Sequence, residues 1–286
     1  MKKKTIFIMS LFLLFCIPFK VNKTNAQVSV SAKAAALMNA DTGEFMFTQN
    51  PNEKLPIASL TKIMTAILAL ENANLSDEVT ISEEAANQPP SSINLTPGDK
   101  LTLEDLLYGL ILRSGNDAAY AIAEYVAGNV DDFVRLMNDK AKALGMNDTN
   151  FSNPSGLPDP RENISTASDV AKLLRYAMEN PEFRKIAGTK IYETTSALGI
   201  PYKWAHKHRL VNQVDYVTAG KTGFTKAAGR TLASYAKENG ISLIAVTLND
   251  PNDWVDHLNM FKYGFGQYGI DVPTPEIRSD GSEEED

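Results

Sequence analysis

The chain nearly lacks cysteine. Its single thiol, Cys16, falls within the N-terminal leader, so the rest of the chain has no disulfide and no thiolate ligand and depends on its packed core. Histidine is scarce too: His206, His208 and His257 supply too few ligands at metal-binding spacing, and no metal and no cofactor is expected. Excess positive charge is absent. The net charge is −7, and removing Lys2, Lys3, Lys4, Lys20 and Lys23 with the leader takes it to −12, which excludes nucleic acid as a partner because phosphates would repel the surface. Beyond Phe19 there is no apolar run long enough to cross a bilayer, and there is no internal repeat.

What is present at the N-terminus is a leader. Met1-Lys2-Lys3-Lys4 gives a basic start, Ile6 to Phe19 an apolar core, and Thr24-Asn25-Ala26 a cleavage site before Gln27. Residues 1–26 therefore read as a signal peptide, with an uncleaved N-terminal anchor as the alternative. Leu14 and Phe15 stand where a lipoprotein site would need small residues, so no lipid anchor is expected at Cys16. The chain of 286 residues, 43% hydrophobic and 22% charged, has the composition of a soluble globular protein with one large domain or two small ones. The C-terminal end, 269–286, is rich in proline and then acidic through Ser282-Glu283-Glu284-Glu285-Asp286, which reads as a disordered acidic tail.

The chemistry centres on Ala58-Ser59-Leu60-Thr61-Lys62-Ile63-Met64-Thr65, which continues into Ile67, Leu68 and Leu70. Apolar residues at nearly every position, without Gly or Pro, predict a buried helix. Positions three apart share a helix face, so Ser59 and Lys62 point the same way one turn apart. A serine hydroxyl becomes a good nucleophile when a neighbouring base takes its proton, and a lysine serves if burial or a second positive charge lowers its pKa. The same spacing recurs at Ser234-Tyr235-Ala236-Lys237, but in a strand running into the Asn239-Gly240 turn, where alternation separates the two side chains.

Two later tripeptides lie in suitable elements. Ser114-Gly115-Asn116 joins two apolar helix patterns, and Lys221-Thr222-Gly223 sits in a predicted strand from Val217 to Thr225. Ser92-Ile93-Asn94 also fits the middle pattern but follows Pro89-Pro90 in a predicted surface loop. Ser-x-x-Lys, Ser-x-Asn and Lys-Thr-Gly in this order form the signature of penicillin-binding proteins and serine β-lactamases. With Pro56-Ile57-Ala58-Ser59, Leu106-Leu107-Tyr108-Gly109-Leu110, Asn153-Pro154-Ser155-Gly156-Leu157 and Gly220-Lys221-Thr222-Gly223-Phe224-Thr225, the chain resembles the D-alanyl-D-alanine carboxypeptidase family of low-molecular-mass penicillin-binding proteins (peptidase S11). The resemblance runs from about residue 30 to 268, and the catalytic domain is expected over 27–268.

The elements predict an α+β fold. A hairpin flanks Asp41-Thr42-Gly43, helices open at Thr102, Asp117, Asp131 and Thr166 or Ser168, a loop covers 151–164, strands cover Arg230 to Ala236 and Ile241 to Leu248, and a last helix runs from Asp253 to Tyr263. Strands at both ends of the chain imply one antiparallel sheet packed on helices. The resemblance implies the serine β-lactamase and DD-peptidase-like fold: a five-stranded antiparallel sheet flanked by helices, plus an all-helical lobe.

The resemblance also implies roles. Ser59 is the acyl-ester nucleophile, Lys62 the general base, Ser114 the proton relay and Asn116 a substrate contact, while Lys221 raises the local positive potential. The N–H groups of Ser59 and Phe224, next to Gly223, form the oxyanion site, and Thr222 binds the substrate carboxylate. Where the family carries Asn-basic-Asn, this chain has His206-Lys207-His208, which makes Lys207 the basic partner and leaves the histidines as loop residues. Trp204 lies beside that segment, and Trp254 packs the last helix. The expected partners are peptidoglycan stem peptides ending in D-Ala-D-Ala and β-lactam inhibitors at the outer face of the membrane or in the wall, with no obligate protein partner. The alternatives are a serine β-lactamase, opposed by the Gly156-Leu157-Pro158-Asp159-Pro160-Arg161 loop where a dedicated glutamate loop would stand, and a non-catalytic wall-binding protein of the same fold.

Overall fold

The computed structural model describes residues 28–158 and 161–278; the leader expected over 1–26 and the acidic run after Arg278 lie outside them. The first hairpin is β1 (Ala34–Asn39) and β2 (Phe45–Gln49), turned through Gly43 at φ +78°. Next, β3 (Leu55–Pro56) leads into a 3₁₀ turn, Ala58–Thr61, and then α1 (Lys62–Asn72). Ser59 thus lies on the 3₁₀ turn rather than inside the α-helix predicted for it, and the α-helix begins at Lys62.

The helical lobe follows. It contains β4 (Glu78–Thr80), α2 (Glu83–Ala86), β5 (Lys100–Thr102), α3 (Leu103–Leu112), α4 (Asn116–Ala127) and α5 (Val130–Ala143). The Thr102 hydroxyl accepts from the Asp105 amide and the Asp105 carboxylate accepts from the Thr102 amide, the reciprocal cap expected from that sequence. The loop across 151–158 and 161–163 then enters β6 (Ile164–Ser165), which pairs with β3. Thr166 caps α6 (Ala167–Ala177).

Between Met178 and Tyr216 the sequence reading gave no elements, yet four are there: α7 (Pro181–Gly188), the hairpin β7 (Ile191–Thr195) with β8 (Pro201–Ala205), and α8 (Arg209–Gln213). Asn180 caps α7 and Pro181 occupies its first turn, a local signal in the sequence. The hairpin turns its alternate residues Tyr202 and Trp204 inward, where Tyr108, Tyr192 and Trp204 stack in series.

The chain ends with β9 (Val217–Thr225), β10 (Gly229–Glu238), β11 (Ile241–Leu248) and α9 (Asp253–Gly266). The sheet order is β2-β1-β11-β10-β9, with every pairing antiparallel, so β9 is an edge strand. Both sheet faces are covered. Ala34, Ala36 and Met38 of β1 join the core against the helical lobe, whereas Ala35 and Leu37 join the core under α9. That two-sided burial is why β1 reads as an unbroken apolar run rather than an alternating one. A glycine in α9 lets the helix sit close on the sheet: a Cβ on Gly264 would lie 2.7 Å from Leu243 Cδ1 and 3.0 Å from Leu37 Cδ2. Each fully buried side chain such as Ile63, Leu110 or Phe261 contributes about 1.5–3 kcal/mol to this core. After α9, Val272 is buried and the Tyr216 hydroxyl donates to Pro273 O at 2.9 Å, which lays the coil that follows the helix against β9.

Candidate active site

Ser59 is held by close backbone contact on two sides. Ala58, just before it, has φ +46°, a left-handed conformation that costs a non-glycine residue about 1–3 kcal/mol. Gly156, at φ +91°, passes so near that a Cβ there would lie 2.0 Å from Ala58 O. A Cβ on Gly223 would lie 2.9 Å from Ser59 N and 2.5 Å from Thr231 Oγ1. The two glycines of the predicted motifs are thus required by how closely the 151–158 loop and β9 approach the turn that carries Ser59.

Lys62 is fully buried. Its Nζ donates to Ser59 Oγ at 2.9 Å, Asn116 Oδ1 at 2.7 Å and Ser155 O at 2.7 Å. Ser114 takes φ +65° at the bend between α3 and α4, which turns its hydroxyl to accept from Lys221 Nζ at 3.0 Å. Lys221 Nζ also donates to Thr222 O at 2.7 Å, and Asn116 Nδ2 donates to Pro89 O at 2.9 Å. Three separate elements therefore bring Ser59, Lys62, Ser114, Asn116 and Lys221 to one place.

They open on a cleft of about 260 Å³ lined by Ser59, Ser91, Ser114, Lys207, Thr222, Gly223, Phe224, Arg230, Asp253 and Trp254. Lys207 stands in it as expected, with its Nζ bonded to Ser91 Oγ at 2.9 Å. Four of these residues are new relative to the sequence reading: Ser91, Arg230, Asp253 and Trp254. Arg230 is paired in register with Phe224 across β9 and β10, a pairing the sequence reading did not make. Its Nη2 donates to Asp253 Oδ1 at 3.0 Å. Trp254 does more than pack the last helix: its indole meets the guanidinium groups of Arg230 at 5.5 Å and Arg209 at 5.9 Å and forms part of the cleft wall. Trp204 instead belongs to the aromatic stack of the β7–β8 hairpin and does not line the cleft.

Ser92-Ile93-Asn94 is a structural support rather than a loose surface loop. Ile93 is buried against Gly109, and the Asp117 carboxylate accepts from the amides of Ile93 and Leu95 and from the Ser92 hydroxyl, fixing the segment that carries Ser91. His206 and His208 are likewise buried instead of lying on an open loop, and His257 is buried with them. Burial first, then the Lys221 ammonium, pushes His206 down to about 3, and burial pushes His257 down to about 3. His208 is lowered by burial, then by His206, His257 and Lys221. Among the described residues, no cluster of three His, Cys, Asp or Glu side chains could hold a metal ion, and no helix is long and apolar enough to cross a membrane.

A serine hydrogen-bonded to a buried lysine, between an antiparallel sheet and a helical lobe, defines an acyl-transfer architecture of the Ser-x-x-Lys type. The sequence profile of the D-alanyl-D-alanine carboxypeptidase family, Peptidase_S11, matches residues 21–252, and the chain belongs to that family. It is 35% identical to D-alanyl-D-alanine carboxypeptidase DacF of Bacillus subtilis over 86% of this chain and 65% of that one. It is 32% identical to the D-alanyl-D-alanine carboxypeptidase of Streptomyces sp. (strain K15) over 83% of this chain and 88% of that one. Among solved structures, the D-alanyl-D-alanine carboxypeptidase of Mycobacterium tuberculosis H37Rv superimposes with TM-score 0.79 at 29% identity, covering 83% of this chain and 92% of that one. The chain spans just under two thirds of the length of the relatives from Bacillus subtilis and Escherichia coli, 65% and 62%.

Proposed function

We propose that the chain is a serine-type D-Ala-D-Ala carboxypeptidase that acts outside the cytoplasmic membrane on peptidoglycan stem peptides and is acylated by β-lactams. The observation that carries this is the position of Lys62 Nζ, 2.9 Å from Ser59 Oγ and anchored by Asn116 Oδ1 and Ser155 O. When the amine is neutral, those two anchors take its two N–H bonds and its lone pair faces the serine hydroxyl.

Ser59 Oγ attacks the carbonyl carbon between the two terminal D-alanines as its proton passes to Lys62 Nζ. The oxyanion so formed accepts from the amides of Ser59 and Phe224; β9 is an edge strand, so alternate amides along it face the cleft instead of a neighbouring strand. The C–N bond then breaks and Ser114 relays a proton to the departing amine, releasing D-alanine and leaving the acyl group on Ser59. Water, activated by Lys62, hydrolyses that ester and restores the serine. Thr222 and Lys207 hold the terminal carboxylate, with the Arg230–Asp253 pair beside them in the cleft wall. A β-lactam enters the same first step, but its leaving nitrogen stays tethered to the acyl group and blocks water.

The test is mass spectrometry of wild type and Ser59→Ala with a diacetylated tripeptide ending in D-Ala-D-Ala and, separately, with benzylpenicillin. Release of D-alanine and a long-lived penicilloyl adduct, both absent in Ser59→Ala, are expected. Rapid turnover of penicillin without an adduct would make the protein a β-lactamase, and inertness towards both compounds would make it a non-catalytic member of the fold.

A further inference from the structure

The three histidines of the chain, from two distant stretches of sequence, converge behind the cleft. His208 Nε2 and His257 Nδ1 each lie 2.8 Å from Ser234 Oγ, and His257 Nε2 lies 3.2 Å from Thr247 Oγ1. The His206 ring accepts the His208 amide at Nδ1, 3.0 Å away, and its Nε2 faces Ala187 O at 3.2 Å. Lys207, between the two buried rings, has its own amide bonded to Leu112 O at 3.0 Å, two residues before Ser114. We propose that His208 and His257, linked through Ser234, and His206, which accepts the His208 amide, are positioning residues that set the Lys207 ammonium in the substrate cleft. This inference rests on the reading above that Lys207 holds the terminal carboxylate.

The hydrogen bonds have one consistent direction. His208 Nδ1 accepts from the Val211 amide at 3.3 Å, so its proton is on Nε2, where it faces Ser234 Oγ and the Ala233 carbonyl beside it. The serine has one proton, which then goes to His257 Nδ1, and His257 donates from Nε2 to Thr247. His206 is fixed as the same tautomer, because its Nδ1 is already an acceptor. Each ring nitrogen is committed with all three imidazoles neutral. A second proton on any ring would set an N–H against the Val211 amide, the His208 amide or the Ser234 hydroxyl.

The neighbouring backbone is shaped to admit the device. A Cβ on Gly220 would lie 2.4 Å from His208 Nε2, so the residue just before Lys221 is a glycine where the imidazole lies on β9. The His208 ring also meets the Trp254 indole edge-on at 5.3 Å. Charged groups on the packed elements are Lys221 on β9, Arg209 on α8, Arg230 on β10, Lys185 on α7, and Asp253 and Asp256 on α9. Asp253 is committed to Arg230, Asp256 to Ser31 and Lys185 to Glu104, so none of these carboxylates compensates a charged imidazole.

His208→Asn separates the two jobs of that residue. An asparagine oxygen still caps the Val211 amide but falls short of Ser234. The experiment is a double-mutant cycle with Lys207→Met, reading kcat and KM for the D-Ala-D-Ala tripeptide at pH 8. Lys207→Met should raise KM about tenfold, the value of one charged contact. His208→Asn should raise KM several-fold with kcat within about threefold, and should add less than twofold in the Lys207→Met background. A normal KM in Lys207→Met would overturn the reading of Lys207 and the inference with it. A normal KM in His208→Asn alone, or an equal effect in both backgrounds, would overturn the inference while that reading stands. A second measurement needs no variant: nitrogen NMR of the wild type should show three Nε2–H imidazoles that do not titrate between pH 8 and 5. A ring titrating near 6.5, or an Nδ1–H tautomer, would also overturn it.

Discussion

Gly223 passes Ser59 so closely that a Cβ on the glycine would stand 2.9 Å from the serine amide nitrogen. The edge strand and the turn that carries Ser59 are therefore a single backbone surface, and the amides proposed for the oxyanion site lie on the two sides of this contact. Gly223→Ala must push β9 away from the turn. The expected result is a loss on the order of 10²- to 10³-fold in kcat/KM for the tripeptide and in the rate of benzylpenicillin acylation, the cost of one misplaced oxyanion donor. Stability should fall by only about 1–3 kcal/mol, the usual cost of overpacking. Activity within tenfold of wild type would mean that β9 has room to spare and that the contact does not align the site.

Lys62→Met tests the base. Methionine fills the volume of the buried stem but leaves Asn116 Oδ1 and Ser155 O without the Lys62 N–H donors they now have. That loss costs about 1–3 kcal/mol of stability for each unsatisfied group. Acylation by benzylpenicillin should slow by about 10²- to 10⁴-fold, the range for removing a general base, with the cleft still formed. Stopped-flow acylation beside a urea unfolding curve separates the two effects. If acylation slows only as much as stability loss populates unfolded chain, the lysine is structural and another group takes the serine proton.

The residues proposed to carry this chemistry were legible because their signals are local. Ser59 and Lys62 are one turn apart on a strongly apolar segment, and Lys221-Thr222-Gly223 lies in a β-run, so short-range spacing sufficed. The capping pair Thr102 and Asp105 was legible for the same reason. Arg230, Trp254 and Ser91 were not, because long-range packing brings them to the cleft: Arg230 across a hairpin, Trp254 from the first turn of the last helix, Ser91 through Asp117. The stretch from Pro181 to Gln213 escaped because its elements are short and the hairpin gains its buried face only by stacking on Tyr108. His206 and His208 resemble loop residues for the same reason: their partners Ala187 and Ser234 are distant in sequence.

Acid should destabilise the fold through these histidines. His206 and His257 have folded pKa values near 3, against about 6.5 for the unfolded chain, so between those values the unfolded state binds more protons. Their contribution is complete above the unfolded value and is lost as pH falls towards the folded one. At pH 5 each has lost about 2 kcal/mol relative to pH 8. Asp250 acts in the opposite direction and returns about 1 kcal/mol over the same range. Urea unfolding at pH 8, 6.5 and 5 should therefore show a net loss of more than about 3 kcal/mol, concentrated below pH 6.5, because His208 is lowered in the same direction and adds to the loss. A flat profile would mean that the imidazoles are solvated or are paired with an acid.

Asp250 itself yields the last prediction. Its carboxylate is pushed up to about 6 by burial first and by the Asp256 carboxylate second, although it accepts from Ser31 and the Asn252 amide. Ser31 Oγ lies 2.9 Å from Asp250 Oδ1 and 2.8 Å from Asp256 Oδ2, and one hydroxyl proton cannot serve both. A raised acid pKa means that the folded state holds a proton the unfolded state has released between about 3.8 and 6, so stability falls as pH rises through that window. Above it, both states are ionised and the fold carries the full cost of a buried charge beside a second carboxylate. Asp250→Asn keeps an oxygen for Ser31 and the Asn252 amide while removing the charge. The variant should be more stable than wild type by about 2 kcal/mol at pH 8, and by clearly less at pH 5, where the wild-type carboxyl is already largely protonated. Equal gains at both pH values would show that the benefit comes from packing, and a loss at pH 8 would show that the ionised carboxylate makes a bond the amide cannot replace.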